Sequence, residues 1–542
     1  MTIAGSGSRS PGKTGEAGRD PGARMAINWL GGKVDHPMSD ARRAREIVDG
    51  LPTNDPAKAL EEIGEWLDSI NQTADFKLNQ RFENIDLLDA AARGHLRKLS
   101  QDYLSMPRQM KFQENRLWNA IFGVWRQLGE GYLQCVRQYD DGLVGITIIR
   151  KSLPLIVARA IRALTFQLKW RLLRYGPVER RIWSELAQVY AIAEQKGFAD
   201  GAIALYPGAR GASTVKREFL AAMMLSASVP EGLPPLRQDI AERMAAQLAA
   251  AFRIANGPDG CTHYVDLASP GPAVRLFKGV ASKDSLRYFG AGTALADLNQ
   301  LIGKIQEAGV APQGVSFGGN YGKDDLVGTF RHLAQYWSDQ PPARNSERRP
   351  SAGRLTVVPG LKDIYKALDP SDDDTLDFSL SQPAGAGESW IVEDVSDGGY
   401  GAVIPTVKSD WIRVGTLVGL QSAASRYWGI GLIRRIKRDE QQQWHVAIQV
   451  LTRTAIPVRI SLAQTLSFTD ADRDMERAIL LPTGPDAQGE VGVVMRSGLF
   501  NGRDTLDMMV SDKSYQMTPV GLVEGGEDFD WAKFRVQERA SG

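Results

Sequence analysis

An acid, a hydroxyl and a glycine stand at fixed spacing in Asp394-Val395-Ser396-Asp397-Gly398-Gly399, a D-x-S-x-x-G pattern between the strand-like runs SWIVE and YGAVIP. A tight turn between two strands holds Asp394 and Ser396 side by side, where carboxylate and hydroxyl can both hydrogen-bond the edge of a planar base. Gly399 admits backbone conformations that other residues resist. Upstream lies Arg344-Asn-Ser-Glu-Arg348, an R-x-x-x-R spacing, with Arg349 and Arg354 close by. Guanidinium groups bond phosphate or guanine bidentately and stack on a purine face, so arginine is the residue type a guanine dinucleotide needs. The competing reading is an ordinary hairpin turn and a solvated basic linker.

Other chemistry finds no support. Five histidines, His36, His95, His263, His332 and His445, stand singly, without an H-E-x-x-H pattern, and no serine or cysteine elbow accompanies them. No catalytic residue is assigned, and the chain is expected not to be an enzyme. Cys135 and Cys261 lack any C-x-x-C spacing, so neither a disulfide framework nor a metal site is indicated, and a reducing cytoplasm fits. Gly290 and Gly292 lack the third glycine of a dinucleotide-binding turn and read as a helix start, and Lys323 lacks P-loop spacing. No cofactor is expected.

The chain has 542 residues, too many for one ordinary core, and a net charge of +1, which argues against a dedicated nucleic-acid binder. The longest apolar window, around residues 143–173, is broken by Arg150, Lys151, Arg159, Arg162 and Lys169, so no transmembrane helix is expected. From Arg150 to Arg181 nine basic residues face one acid, Glu179. This segment reads as a helix with its apolar stripe in a bundle and its arginines toward water or acidic neighbours, rather than as a membrane or nucleic-acid surface.

Behind these residues stand two kinds of periodicity. Residues 1–24 are rich in Gly, Ser and Pro and read as a disordered leader. Residues 25–338 are mostly helical: Leu60, Ile63, Trp66, Leu67 and Ile70 recur at three- and four-residue spacing behind an Asn-Asp-Pro start. A small mixed segment interrupts them at about 256–320. Residues 339–354 form an Arg-rich linker. Residues 355–465 change to period two, as antiparallel strands of a barrel do, and 466–542 add strands that either extend the barrel or form a further β unit. The expected fold class is multidomain α + β, a large all-α bundle or irregular helical array followed by an antiparallel β-barrel.

The two motifs at the head of a barrel resemble the PilZ domain family, over about residues 344–462; the helical part has no such resemblance. It implies a bacterial, cytoplasmic signalling protein that binds cyclic di-GMP. Arg344 and Arg348 (or Arg349) on a flexible arm would clamp the ligand's phosphates and guanines, and Asp394, Ser396 and Gly399 would hold a guanine. The helical domain would take a protein partner. The alternative is an interaction scaffold or chaperone-like protein whose barrel binds no nucleotide. Forty-five residues separate Arg348 from Asp394, so the ligand-binding reading requires the arm to fold back.

Overall fold

The computed structural model describes residues 34–107, 110–142, 146–208, 211–309, 312, 319, 321–342, 346–369, 387–405, 410–462, 475–482, 489–510 and 513–539. Arg344, the leader and most of the acidic stretch after Asp369 lie outside them. The helical part comprises α1 (Ala41–Asp49), α2 (Pro56–Gln72), α3 (Leu78–Leu104), α4 (Lys111–Asp140), α5 (Ile146–Ile149), α6 (Leu153–Leu172), α7 (Arg180–Gln195), α8 (Val215–Ala227), α9 (Pro235–Gln247), α10 (Ala294–Ala308) and α11 (Lys323–Trp337). The start of α2 shows how the sequence sets these ends. Asp55 accepts the backbone N–H groups of Ala57 and Lys58, and Pro56 occupies the first turn, where its missing N–H costs nothing. The apolar stripe Leu60, Ile63, Leu67 and Ile70 is fully buried, whereas Trp66 is only partly covered. The long α4 packs against α2, α3 and α6, and one continuous core runs from Met38 to Trp337. Between α9 and α10 sits a four-stranded antiparallel sheet of order β1-β4-β2-β3, built from β1 (Arg253–Ala255), β2 (His263–Asp266), β3 (Val274–Arg275) and β4 (Leu286–Gly290).

Of the two surroundings the sequence offers the basic segment, water or acidic neighbours, Arg159, Arg162 and Lys169 take the second. Arg159 is 4 % exposed and pairs with Asp86 and Asp89. Arg162 grips the Glu218 carboxylate with two bonds of 2.7 and 2.8 Å. Lys169, 5 % exposed, lies 2.6 Å from both Asp239 and Glu242. The compensating acids sit far away in the chain, on α3, α8 and α9. The basic face is therefore a set of interhelical ties.

The β part forms two closed antiparallel barrels. The first joins β5 (Arg349–Pro359), β6 (Glu388–Ser396), β7 (Gly399–Ile404), β8 (Leu417–Ser422), β9 (Gly429–Arg438) and β10 (Trp444–Thr452) in the order β10-β7-β6-β5-β8-β9. The second joins β11 (Ile456–Leu462), β12 (Glu476–Leu481), β13 (Glu490–Arg496), β14 (Leu506–Val510), β15 (Lys513–Gly525) and β16 (Phe529–Glu538). Strand pairing thus begins at Arg349, within the stretch that composition marks as linker, and the second barrel takes its first strand from before residue 465. Closure removes free sheet edges. Inside the first barrel pack Leu355, Val357, Trp390, Val392, Val418, Leu420, Ile433 and Val446. The helix α12 (Gly360–Leu368) packs on β5 and β8 of the first barrel and on β11 and β12 of the second, and its Ile364 and Tyr365 share one core cluster with Leu417, Ile430 and Leu432 of the first barrel and Ile479, Val494 and Phe529 of the second. That is why the first four residues of β8 and the first five of β9 are buried on both faces.

The helical part enters the first barrel through Tyr175, at the turn between α6 and α7. Tyr175 adopts a left-handed backbone (φ 53°), is 6 % exposed and joins the barrel's core cluster. Its carbonyl accepts the Arg438 backbone N–H at 2.7 Å, and the Arg438 side chain donates to the Arg174 carbonyl. Arg435 pairs with Glu231 at 3.0 Å on the same side.

On β10, His445 lies 3.0 Å from both Asp439 and Glu393. The hydrogen bond to Asp439, then that to Glu393, raises its pKa above the ordinary 6.5. A group raised in the folded state contributes stability that is fully present below 6.5 and is lost as pH rises through the folded value. An NMR titration should therefore place the His445 imidazole above 6.5. His445→Gln should flatten the fall in barrel stability across that window; an unshifted imidazole would contradict the pairing.

Candidate functional site

Arg348, the second arginine of the R-x-x-x-R spacing, meets the Asp394–Gly399 bend at one end of the first barrel, while Arg344 lies outside the described residues. Because β5 and β6 run antiparallel, the start of one lies beside the end of the other however long the connection between them. Arg349 is registered with Val395 and Pro350 with Asp394. The long gap between the motifs is thereby closed by strand pairing, with α12 and the acidic stretch accommodated in the β5–β6 connection.

Arg348 Nη1 donates to Asp394 Oδ2 at 3.0 Å, with the two side chains 40 % and 29 % exposed. The other carboxylate oxygen, Oδ1, is buried and has no hydrogen-bond partner among the described residues. Ser396 ends β6 half-buried, paired in register with Gly399. Arg349 is exposed at the first position of β5, and Arg354 donates to Ser389 at 3.2 Å, farther along the strand. The structure therefore brings Arg348, Arg349, Asp394, Ser396 and Gly399 together.

Gly399 serves a different purpose from the one its place in a turn suggests. Its φ is not in the left-handed region. A Cβ there would fall 2.1 Å from the Ile448 carbonyl oxygen of β10, so what the position requires is the absence of a side chain. Gly399→Ala must push β7 and β10 apart and is expected to cost about 1–3 kcal/mol. Gly398→Ala, whose Cβ would meet only Ser346 Oγ at 3.9 Å, should be nearly neutral. Denaturant unfolding of the two variants checks this contrast, and equal stabilities would contradict it.

Arg453, which carries no motif, completes the bend. Its Nη1 donates to the Tyr400 hydroxyl at 2.9 Å, and its Nη2 to the carbonyl oxygens of Ser396 at 2.9 Å and Asp397 at 3.3 Å. A cleft of about 90 Å³ opens on one side of it, lined by Tyr400, Ser422, Ser425 and Tyr427. A shallower hollow of about 390 Å³, lined by Asp397, Thr454 and Pro482, lies on the other. Sequence reading missed Arg453 because it lies in an ordinary Thr-Arg-Thr connection fifty-odd residues after the bend. Larger hollows lie on the helical part, about 600 Å³ between α2 and α4 and about 450 Å³ beside Tyr190. Of the cations that line them, Arg116, Lys216 and Arg287 are paired with Glu61, Asp200 and Glu194, and Arg126 is exposed beside the larger one. The bend at the barrel end sets the Arg348–Asp394 pair beside the exposed Arg349. Among the described residues no group of three or more His, Cys, Asp or Glu side chains could hold a metal ion, and no helix is long and apolar enough to cross a membrane.

Comparison with known proteins bears on the other end of the molecule. The family model described as "Cyclic-di-GMP receptor FimW, N-terminal domain" matches residues 42–259, the helical part. A curated relative, "Cyclic-di-GMP receptor FimW" of Pseudomonas aeruginosa, is 27 % identical over 199 residues, which cover 36 % of this chain and 29 % of the relative. The matched segment thus spans less than a third of that relative's length. The family-model match arises from the helical part, which carries no resemblance legible in its motifs.

Proposed function

We propose that this chain is a non-catalytic bacterial signalling protein that binds cyclic di-GMP at the end of a PilZ-like first barrel and relays the binding to its helical part. The observation that carries the reading is that strand pairing sets Arg348 3.0 Å from Asp394, beside Ser396 and Gly399, across the long gap between the motifs. A guanine edge offers N–H donors to a carboxylate and acceptors to an arginine fork. In this reading Asp394 and Ser396 hold a guanine. Arg348, with Arg344 and Arg349 on the same arm, takes the phosphates and the second base, and Gly399 keeps β7 close to β10. The similarity of the helical part to a protein named as a cyclic-di-GMP receptor supports the same ligand. The site uses no cofactor, and a cytoplasmic location follows from the proposed ligand.

Ligand and helical part meet opposite ends of the barrel. The bend lies where β7 begins beside Ile448 and Gln449, whereas Arg438 and Trp444 lie at the end that receives Tyr175. A ligand shifts such a junction only by binding one arrangement of it more tightly than the other. Hydrogen exchange with and without cyclic di-GMP tests this relay. The reading expects protection of residues 394–400 together with a change at residues 172–178, and an effect confined to the bend would leave a receptor without a relay. A protein partner on the helical part completes the proposed pathway.

A further inference from the structure

We infer that Arg453 is a positioning residue for the ligand bend and ties that bend to the second barrel, an inference that deepens the cyclic di-GMP reading and rests on it for the ligand. Three acceptors converge on one guanidinium: the carbonyls of Ser396 and Asp397, within the motif, and the hydroxyl of Tyr400, just beyond it. The Arg453 guanidinium also stands 5.6 Å from the Tyr400 ring centroid. A planar fork meets divergent acceptors at once, which a lysine ammonium on a flexible stem does not. The Val450 N–H of β10 donates to the Gly398 carbonyl at 2.9 Å, so the ladder and the Arg453 side chain together fix the peptide planes on which the Ser396 hydroxyl and the Gly399 approach depend.

The backbone that presents Arg453 is itself held tightly. A Cβ on Gly429 would fall 2.6 Å from the Thr452 carbonyl oxygen and 3.2 Å from the Arg453 Cα, so β9 can approach this connection only because residue 429 has no side chain. Thr452 Oγ1 donates to the Thr454 carbonyl at 3.0 Å, and the Ala455 N–H donates to the Trp428 carbonyl at 2.8 Å. Two residues after Thr454 the chain enters β11 of the second barrel. The connection between barrels is therefore anchored to the first barrel at the same place where its arginine grips the bend. Displacement of either barrel is felt at Ser396 and Asp397.

The test compares wild type with Arg453→Gln, Arg453→Lys and Tyr400→Phe by hydrogen exchange of residues 396–400 without ligand, and by cyclic di-GMP titration at low and high salt. The expected result for Arg453→Gln is exchange in the bend faster by about tenfold and affinity lower by about tenfold, with the salt dependence of affinity unchanged. Arg453→Lys and Tyr400→Phe should show smaller changes in the same direction. Unchanged exchange in ligand-free Arg453→Gln would overturn the positioning role. So would a weaker salt dependence, because it would mean that Arg453 contacts the ligand's phosphates directly. If Arg453→Gln fails to fold, Tyr400→Phe, which removes one of the three bonds, carries the exchange comparison. That comparison uses ligand-free protein, so it decides the role of Arg453 even if wild type takes up no cyclic di-GMP, a result that would overturn the functional reading instead.

Discussion

Arg348→Ala is expected to weaken cyclic di-GMP binding by about a hundredfold, or close to 3 kcal/mol, the worth of the charge-assisted hydrogen bonds one guanidinium makes to a ligand anion or base. The same substitution should leave the melting temperature nearly unchanged. In the free protein the Arg348–Asp394 pair is 40 % and 29 % exposed, and such surface pairs contribute about 0–1 kcal/mol. Binding and folding are thus separable at this residue, which is what makes it informative. Arg348→Lys should not restore affinity, since an ammonium cannot reproduce a planar fork. Asp394→Asn should weaken binding by a comparable factor, because it removes the carboxylate's charge and turns one of its two acceptor oxygens into an N–H donor. Calorimetric titration of the single and double variants reads whether the two losses are coupled. Additive losses would mean that arm and bend act on separate parts of the ligand, and wild-type affinity in both would remove the site from this end of the barrel.

Lys169→Met is expected to destabilise the helical part by about 3–5 kcal/mol, since it removes the cation from a buried ion cluster and leaves the carboxylates behind. Lys169 is 5 % exposed and Asp239 0 %, and Glu242 is buried beside them. Burial pushes the Asp239 carboxyl up, yet Lys169 and Arg243 overrule it and hold the pKa down to about 2, with Tyr321 donating a further bond of 2.7 Å. A carboxylate depressed in the folded state contributes stability that is present above its unfolded value of 3.8 and is lost as pH falls toward 2. Removing Lys169 should therefore also move acid unfolding of the helical part to higher pH. Adding Glu242→Gln to Lys169→Met should recover part of the loss, because Glu242 is the carboxylate left without its bonded cation, whereas Asp239 keeps its 2.7 Å bond to Arg243. Thermal unfolding followed on helical signals measures all three, and a Lys169→Met variant as stable as wild type would show the cluster to be hydrated.

Periodicity alone made the division into helical and β parts legible. The Leu60, Ile63, Leu67 and Ile70 stripe and the alternating runs from Ser389 onward each carry one dominant spacing. The second barrel was less legible, because closure depends on β11 pairing with β12 and β14, and pairing between distant strands leaves no mark on either strand alone. The inward course of the basic segment was hidden for the same reason: Lys169 looks like a surface lysine until α9 brings Asp239 and Glu242 against it. At the candidate site, residue types named Asp394, Ser396 and Arg348, because a carboxylate, a hydroxyl and a guanidinium advertise their chemistry. Arg453 advertised the same chemistry but stood outside any motif, and only the fold places it on the bend. Gly399 was noticed for its backbone freedom, whereas the structure uses its lack of a side chain.

Calorimetric titration of cyclic di-GMP into the full-length chain, with GTP and cyclic di-AMP as controls, tests the central claim most directly. Saturable binding of cyclic di-GMP at micromolar or lower concentration, without comparable binding of either control and with loss of the heat in Arg348→Ala, is the predicted result. No heat and no thermal shift at saturating cyclic di-GMP, from protein whose barrels are folded, would contradict it and would leave the helical part as a protein-interaction surface beside a barrel that binds no nucleotide.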